Sequence, residues 1–171
     1  LWGESNVICS MSEHNLGTMH YANYDVFVAA YCNDDKTREA ALAASRKHTR
    51  VHVAEVPHDG PTCKADCLNW IYQRILLYEE ESGRRFALVV LHDAEDLIHP
   101  HSFRMIAKYS ARAEMVQIPV LPLPTGLLEF THGLYCDDFA ESQGKDLETR
   151  VQAGGFLPGC GVGTGFLTLG R

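Results

Sequence analysis

Long apolar runs and basic clusters are both missing from this sequence. No apolar run approaches the ~18 residues that a membrane-spanning helix needs, and the longest candidates, Phe86–Leu91 and Ile118–Leu123, are short. There are 15 lysine and arginine residues against 22 acidic ones, which gives a formal net charge of −7. Binding to nucleic-acid phosphates needs clustered basic side chains. The composition therefore argues against a nucleic-acid partner, and we expect this part of the protein to be soluble.

Paired cysteine motifs are also missing. The six cysteines form no CxxC pair and no pattern typical of small secreted domains; they are Cys9, Cys32, Cys63, Cys67, Cys136 and Cys160. Reduced thiols in a cytosolic setting are the expected state. Cys63 and Cys67 lie close to His58 in the sequence, but a zinc site is disfavoured because a four-ligand set with familiar spacing is absent.

Common catalytic and nucleotide-binding motifs are absent as well. There is no GxSxG sequence and no recognisable Ser–His–Asp set, so a hydrolase has little support. The run Gly159–Gly165 does not match GxGxxG, and Gly144-Lys145-Asp146 lacks the flanking residues of a P-loop. Because the chain has a net charge of −7, an anionic ligand would need a bound cation.

The sequence does contain a regular alternation of strand and helix patterns. Its 171 residues, 46% hydrophobic and 22% charged, are typical of one globular domain. Strands are predicted at Tyr24–Tyr31, Val51–Val56, Phe86–Leu91 and Met115–Leu121, and helices at Lys36–His48, Lys64–Glu81, Ser102–Ala113 and Asp146–Ala153. This alternation predicts a doubly wound α/β fold, in which ligands bind beyond the carboxyl ends of the strands.

An acidic turn, Asp93-Ala94-Glu95-Asp96, directly follows the most hydrophobic predicted strand. Carboxylate oxygens there suit Mg²⁺ or Mn²⁺, which proteins commonly hold with one or two carboxylates and substrate phosphate oxygens. Alternatively, these residues only favour the positive end of the next helix. His92, His99 and His101 flank the turn and could bind or tune a metal, or could simply be solvated or capping residues.

Further polar residues are predicted at the same rim of the sheet. Asp34 follows an earlier strand and could accept hydrogen bonds from a ribose or base; the alternative is an N-cap on the next helix. Lys64 begins a predicted helix, where its ammonium and the helix N–H groups could face phosphate. Asn69 lies farther along that helix. Each of these residues could also be an ordinary surface residue.

Taken in order, the motifs resemble those of a family-two glycosyltransferase with the GT-A fold. The segments that carry the resemblance cover nearly the whole chain: Trp2–Ser5 as the end of a first strand, Tyr31–Asp34 as the end of the second, Gly60–Trp70 as the donor-loop helix, then Leu91–Asp96, Gln117–Val120, Gly144–Asp146 and Gly161–Phe166.

The resemblance implies an open, mostly parallel sheet flanked by helices, truncated at both ends. Residues 1–121 would form the donor-binding half and residues 122–171 the start of the acceptor side, to which Gly161–Phe166 would contribute. By resemblance, Glu4 and Asp34 would contact the nucleoside, while Lys64 and Asn69 would shape the donor pocket. Asp93 and Glu95 would occupy the catalytic DxD motif that holds Mg²⁺ or Mn²⁺, with Asp96 as an alternative second metal ligand.

The implied activity is inverting transfer of a sugar from a nucleotide-diphosphate sugar, such as a UDP-sugar, to a glycan or lipid-linked acceptor. The family's general base lies in a Thr-Glu-Asp-like segment, which we expect beyond this chain. The intact bacterial protein would reach the inner membrane through other segments, with its catalytic domain in the cytoplasm. Two alternatives stay open: a non-catalytic envelope or phage-adsorption scaffold, and a metal-dependent phosphohydrolase.

Overall fold

The elements of the fold follow from a computed structural model. It describes residues 2–116, 118, 133, 134, 136, 137, 141, 145, 149, 152, 153 and 168–170. Within them the chain forms α1 (Ser5–Thr18), β1 (Val26–Tyr31), α2 (Asp35–Lys47), β2 (Val51–Val56), α3 (Lys64–Ser82), β3 (Leu88–Val90), α4 (Ser102–Ser110), β4 (Met115–Val116) and β5 (Thr168–Gly170). The predicted acceptor-side segment Gly161–Phe166 lies outside the described residues, as do most of Gln117–Val120, Gly144–Asp146 and the predicted helix Asp146–Ala153.

The strands and helices predicted between residues 24 and 113 are confirmed. Their ends differ from the predictions by at most three residues, and β2 has the predicted bounds. β4 begins at Met115 as predicted, and residues 117 and 119–121 of that prediction lie outside the described part. No helix among the described residues is both long enough and apolar enough to span a membrane.

A parallel pair of strands, β1 and β2, forms the centre of a first compact unit, which holds the residues up to Phe86 together with Ala94–Arg104. Alternate residues of each strand point to opposite faces. One face packs on α1 and α2 through Ile8, Val28, Ala41, Ala44 and Val51. The other face packs on α3 through Ala29, Tyr31, Ala54 and Val56, with Cys67, Trp70 and Ile71. Because helices cover both faces, β1 is continuously apolar, while β2 is apolar except at His52 and Glu55.

Helix α1 replaces part of an element that the resemblance suggested. Trp2–Ser5 was predicted to end a first strand, and this prediction is wrong: residues 2–4 form no strand and α1 begins at Ser5. The buried residues of α1 are Ile8, Ser12 and Asn15. Two of the three are polar, so the apolar spacing that reveals a buried helix face is weak here.

The second compact unit contains Ala87–Asp93 and the residues from Met105 onward. Here β5 pairs antiparallel with both β3 and β4, in the order β3-β5-β4. This antiparallel strand was not predicted. The α/β class is confirmed, with an open parallel sheet between helices.

Candidate functional site

The carboxyl ends of β1 and β2 carry two polar loops, residues 32–35 and 57–63, which we call the β1–β2 rim. The side chain of Asn33 joins them with two hydrogen bonds. Its Nδ2 donates to the Gly60 carbonyl oxygen at 3.0 Å, and its Oδ1 accepts from the Gly60 N–H at 2.9 Å. One amide group thus pairs with both backbone groups of Gly60 and sets the separation of the loops.

Asp34 is held at the rim by backbone groups from two segments. Its Oδ1 accepts from the Thr37 N–H at 3.2 Å, and its Oδ2 accepts from the Gly3 N–H at 2.7 Å. The alternative considered for Asp34, an N-cap on the next helix, is therefore confirmed for α2. Partial burial acts to raise the pKa of Asp34, but the hydrogen bonds from Gly3 and Thr37 outweigh it and hold the pKa below its ordinary value.

Replacing Asp34 by alanine is expected to lower the free energy of unfolding by about 1 kcal/mol at neutral pH, since α2 loses its cap. A lowered pKa in the folded state stabilises the fold above the unfolded-state pKa, about 3.9, and this stabilisation is lost as the pH falls through the folded value. The difference in the free energy of unfolding between wild type and Asp34→Ala should therefore become smaller from about pH 7 to about pH 3. Urea unfolding at several pH values measures it.

Asp35→Ala is the matched control, because the Asp35 carboxylate is exposed and its described contact is an ion pair with Arg38 at 3.7 Å. Its effect should be at most about 0.5 kcal/mol. An Asp34→Ala variant as stable as wild type at neutral pH would contradict the capping role.

Glu4 lies beside Asp34 at the start of α1. Its N–H donates to the Thr37 hydroxyl oxygen at 3.1 Å, and its carbonyl oxygen accepts from the N–H groups of Val7 and Ile8. The Glu4 carboxylate makes no capping hydrogen bond to α1. The structure therefore brings together Glu4 and Asp34, the two residues predicted to contact a nucleoside, through their shared neighbour Thr37.

A hydrogen-bonded chain of side chains that the sequence did not reveal holds the second loop. The Thr62 hydroxyl donates to Asp66 Oδ2 at 2.6 Å, so the Tyr31 hydroxyl, 2.7 Å away, donates to Thr62 Oγ1. The Tyr31 oxygen also accepts from the Thr62 N–H at 3.1 Å. His58 Nε2 lies 3.2 Å from Asp66 Oδ2. The only sequence signal for these residues is that they surround Gly60-Pro61 and Lys64.

Lys64 and Asn69, the predicted donor-pocket residues, are both exposed on α3. Lys64 is the first residue of the helix, and the preceding Cys63 provides no side-chain cap. Asn69 is five residues farther on, which places it about 140° around the helix axis. The two side chains therefore do not share one face, and a ligand that contacted both would have to lie over the first turns of α3.

The acidic turn follows β3. Asp93 and Asp96 are half-buried and Glu95 is exposed. The boundary between the two compact units passes between Asp93 and Ala94. Across the part of the chain that the structure describes, no three His, Cys, Asp or Glu side chains are placed to hold a metal ion together. The carboxylate oxygens of the turn are hard metal ligands. They still fit Mg²⁺ or Mn²⁺ where a bound molecule supplies the remaining oxygen ligands.

The histidines near the turn differ in their surroundings. Burial lowers the pKa of His92 to about 3, although the neighbouring Asp93 carboxylate acts in the opposite direction. His92 is therefore neutral at physiological pH. His99 and His101 are exposed, and the His101 N–H donates to His99 Nδ1 at 3.2 Å. In this contact the His99 side chain accepts a hydrogen bond from a backbone N–H, as a capping residue does.

Comparison with known proteins places these features in a family. The family model described as "Glycosyltransferase like family 2" matches residues 2–168. Bacteriophage adsorption protein B of Escherichia coli (strain K12), NfrB, is 38% identical over 165 residues, which are 96% of this chain and 22% of that protein. Bacteriophage N4 adsorption protein B of Escherichia coli O157:H7 has the same identity and coverage.

The chain thus spans 22% of the length of the curated relatives that it matches. No solved structure matches it. Since the family match extends over nearly all of the chain, and the motifs of the rim and the acidic turn occur in the order that the sequence analysis recognised, the chain belongs to the glycosyltransferase-like family 2.

Proposed function

We propose that this domain binds a nucleotide-diphosphate sugar, a UDP-sugar in the first instance, at the β1–β2 rim and transfers the sugar with inversion to a glycan or lipid-linked acceptor. The observation that carries the proposal is the fixed orientation of Asp34. Each carboxylate oxygen accepts one backbone hydrogen bond. Since an ionised carboxylate has about four acceptor positions, capacity is left for a ribose hydroxyl or a base N–H.

The start of α3 suits the diphosphate. Lys64 carries an ammonium group there, and the first N–H groups of a helix favour anions. Thr62, two residues earlier, is fixed to Tyr31 and Asp66, so the backbone that leads into Lys64 is held in place. Such preorganisation reduces the ordering cost of binding. We assign Lys64 to the diphosphate and Asn69 to the edge of the donor pocket.

A cation completes the proposed site, because the chain carries a net charge of −7 and the donor diphosphate is itself anionic. We assign Asp93 and either Glu95 or Asp96 as the carboxylates that hold Mg²⁺ or Mn²⁺. One or two protein carboxylates with phosphate oxygens are the usual set for these ions. A bound ion would neutralise the negative charge that develops on the leaving diphosphate.

The proposed reaction is a displacement at the anomeric carbon of the sugar. The acceptor hydroxyl oxygen forms the new bond to that carbon, the bond from the carbon to the diphosphate oxygen breaks, and the diphosphate leaves with the electron pair. The hydroxyl proton passes to a general base, a role that we assign to no residue of this chain. The rim holds the nucleoside and Lys64 holds the phosphates, so the donor is fixed for attack.

For the intact protein, we propose an inner-membrane enzyme with its catalytic domain in the cytoplasm, anchored by segments outside this chain. The names of the two relatives refer to bacteriophage adsorption, which supports a second candidate: a scaffold domain of the cell envelope that keeps the fold without catalysis. The scaffold predicts no donor affinity that depends on a metal.

Calorimetric titration of the chain with UDP is the test. We expect Mn²⁺ to tighten UDP binding at least about tenfold, or about 1.4 kcal/mol, relative to binding in a chelator, because the ion joins the carboxylates to the diphosphate. UMP provides a matched ligand with a single phosphate group, and its affinity should respond less to Mn²⁺.

Equal affinities with and without Mn²⁺ would refute the metal-assisted donor site, and no binding at all would refute donor binding; either outcome would favour the scaffold. A phosphohydrolase is distinguished by its products. Mass spectrometry of a UDP-sugar incubated with Mn²⁺ and the chain, in the absence of an acceptor, should show intact donor; rapid cleavage between the two phosphates would refute the transferase assignment.

A further inference from the structure

A buried asparagine on α1 pairs with the backbone that follows the acidic turn. Asn15 is 7% exposed. Its Nδ2 donates to the Asp96 carbonyl oxygen at 2.9 Å, and its Oδ1 accepts from the Ile98 N–H at 2.9 Å. The Asn15 amide supplies one donor and one acceptor, and the backbone of Asp96 and Ile98 supplies the matching acceptor and donor, so one side chain satisfies both.

The same segment is attached to the chain after α1 at further points. The His20 N–H donates to the Pro100 carbonyl oxygen at 3.0 Å. Tyr21 and Tyr24 contact the Phe103 ring edge-on, with centroids 6.2 and 5.3 Å apart. Residues 96–103 are therefore held against α1 and the residues that follow it, and Asn15 bonds directly to the backbone of Asp96.

The other end of α1 is attached to the rim. The Gly3 N–H is bonded to Asp34, and the Glu4 N–H is bonded to Thr37. Between these ends, Ile8 is fully buried in the cluster with β1, β2 and α2. One rigid helix thus connects the carboxylate proposed to bind the nucleoside with the backbone of the turn proposed to bind the metal ion.

We propose that Asn15 is a positioning residue: it sets the backbone from which the second metal ligand, Glu95 or Asp96, extends toward a divalent cation. The inference rests on the proposed function. Mg²⁺ demands near-octahedral geometry, and residues that orient metal ligands typically change metal affinity 10- to 100-fold when they are replaced. Loss of both Asn15 bonds would loosen the backbone at Asp96 and Ile98 and weaken the metal-dependent part of donor binding.

The test compares Asn15→Ala and Asn15→Leu with Ser12→Ala. Ser12 lies one turn earlier on the same buried face, is 4% exposed, and its hydroxyl makes no hydrogen bond to any described residue. The measurement is the ratio of the dissociation constants of UDP without and with Mn²⁺, at a temperature where circular dichroism shows each variant folded. We expect the Asn15 variants to lower this ratio about tenfold with unchanged metal-free affinity, and Ser12→Ala to keep it.

If the Asn15→Ala and Asn15→Leu variants do not fold, Asn15→Asp serves, because it keeps the acceptor for Ile98 and loses only the donor to Asp96. For Asn15→Asp, the ratio of the UDP dissociation constants without and with Mn²⁺ should be lower than for wild type at about pH 8. At lower pH the ratio should approach the wild-type value, because the introduced carboxyl regains a proton to donate. If the folded variants keep the wild-type ratio of dissociation constants, the positioning role is refuted but the proposed function is not. A wild-type chain without Mn²⁺-dependent UDP binding would refute the proposed function, and the positioning role with it.

Discussion

Replacing Asp93 by asparagine is expected to abolish the Mn²⁺-dependent part of UDP binding, a loss of at least about tenfold in affinity, while metal-free binding stays unchanged. Asparagine keeps the shape of the side chain and one carbonyl oxygen but removes the negative charge that attracts the cation. Burial lowers the pKa of the neighbouring His92 to about 3, so this imidazole adds no positive charge beside Asp93 at neutral pH. Calorimetric titration of UDP with and without Mn²⁺ measures the effect.

Glu39→Gln is the control for net charge. Glu39 is exposed on α2, and its replacement also removes one negative charge; its UDP affinity should equal that of wild type under both conditions. Glu95→Gln and Asp96→Asn then identify the second ligand, because the true ligand should reproduce the loss seen for Asp93→Asn. Mn²⁺-dependent binding that persists at wild-type strength in Asp93→Asn would refute the assignment of Asp93.

Gly60→Ala is expected to destabilise the fold by about 1–3 kcal/mol, in the range of an overpacked core. A Cβ atom at Gly60 would lie 2.5 Å from Tyr31 Cδ1 and Cγ and 2.7 Å from Cε1. The ring cannot easily move away, because Tyr31 is 3% exposed and its hydroxyl is bonded to Thr62. The second rim loop would shift instead, which should also weaken UDP binding. Urea unfolding and UDP titration measure the two effects.

The same substitution at Gly17 provides a control of opposite sign. A Cβ atom there meets nothing within 4 Å, and Gly17 lies in α1. Alanine is favoured over glycine in helices by up to about 1 kcal/mol, so Gly17→Ala should stabilise the fold slightly. If Gly60→Ala were as stable as wild type while Gly17→Ala behaved as expected, the close contact between Gly60 and Tyr31 would not exist in solution.

Several elements could be predicted because their signals are local. β1 is apolar along its length since helices cover both faces, and the β-branched residues of β2 mark the second strand, so both patterns appear directly in the sequence. The polar stop at Asn33–Asp35 marks the start of α2, where Asp34 forms the cap. Gly83 ends α3 in the left-handed conformation that favours glycine.

Two elements, α1 and β5, were not predicted, for different reasons. α1 buries Ser12 and Asn15 beside Ile8, and polar residues on a buried face hide the apolar spacing that identifies a helix. β5 is only Thr168–Gly170, and it pairs with Leu88–Val90, far earlier in the chain. A three-residue strand has too little pattern of its own, and its pairing depends on where the chain brings it.

Composition, strand–helix alternation and motif order were enough to recognise the α/β class, the acidic turn and the family, since each can be read from short segments and their order along the chain. The contacts that organise the rim and the turn depend on the path of the chain. Asn33 reaches Gly60 across 27 positions, Tyr31 reaches Thr62 across 31, and Asn15 reaches Asp96 across 81. Hydrogen-bond partners so distant in sequence are decided by how helices and strands pack, because only packing brings their donors and acceptors within about 3 Å of each other.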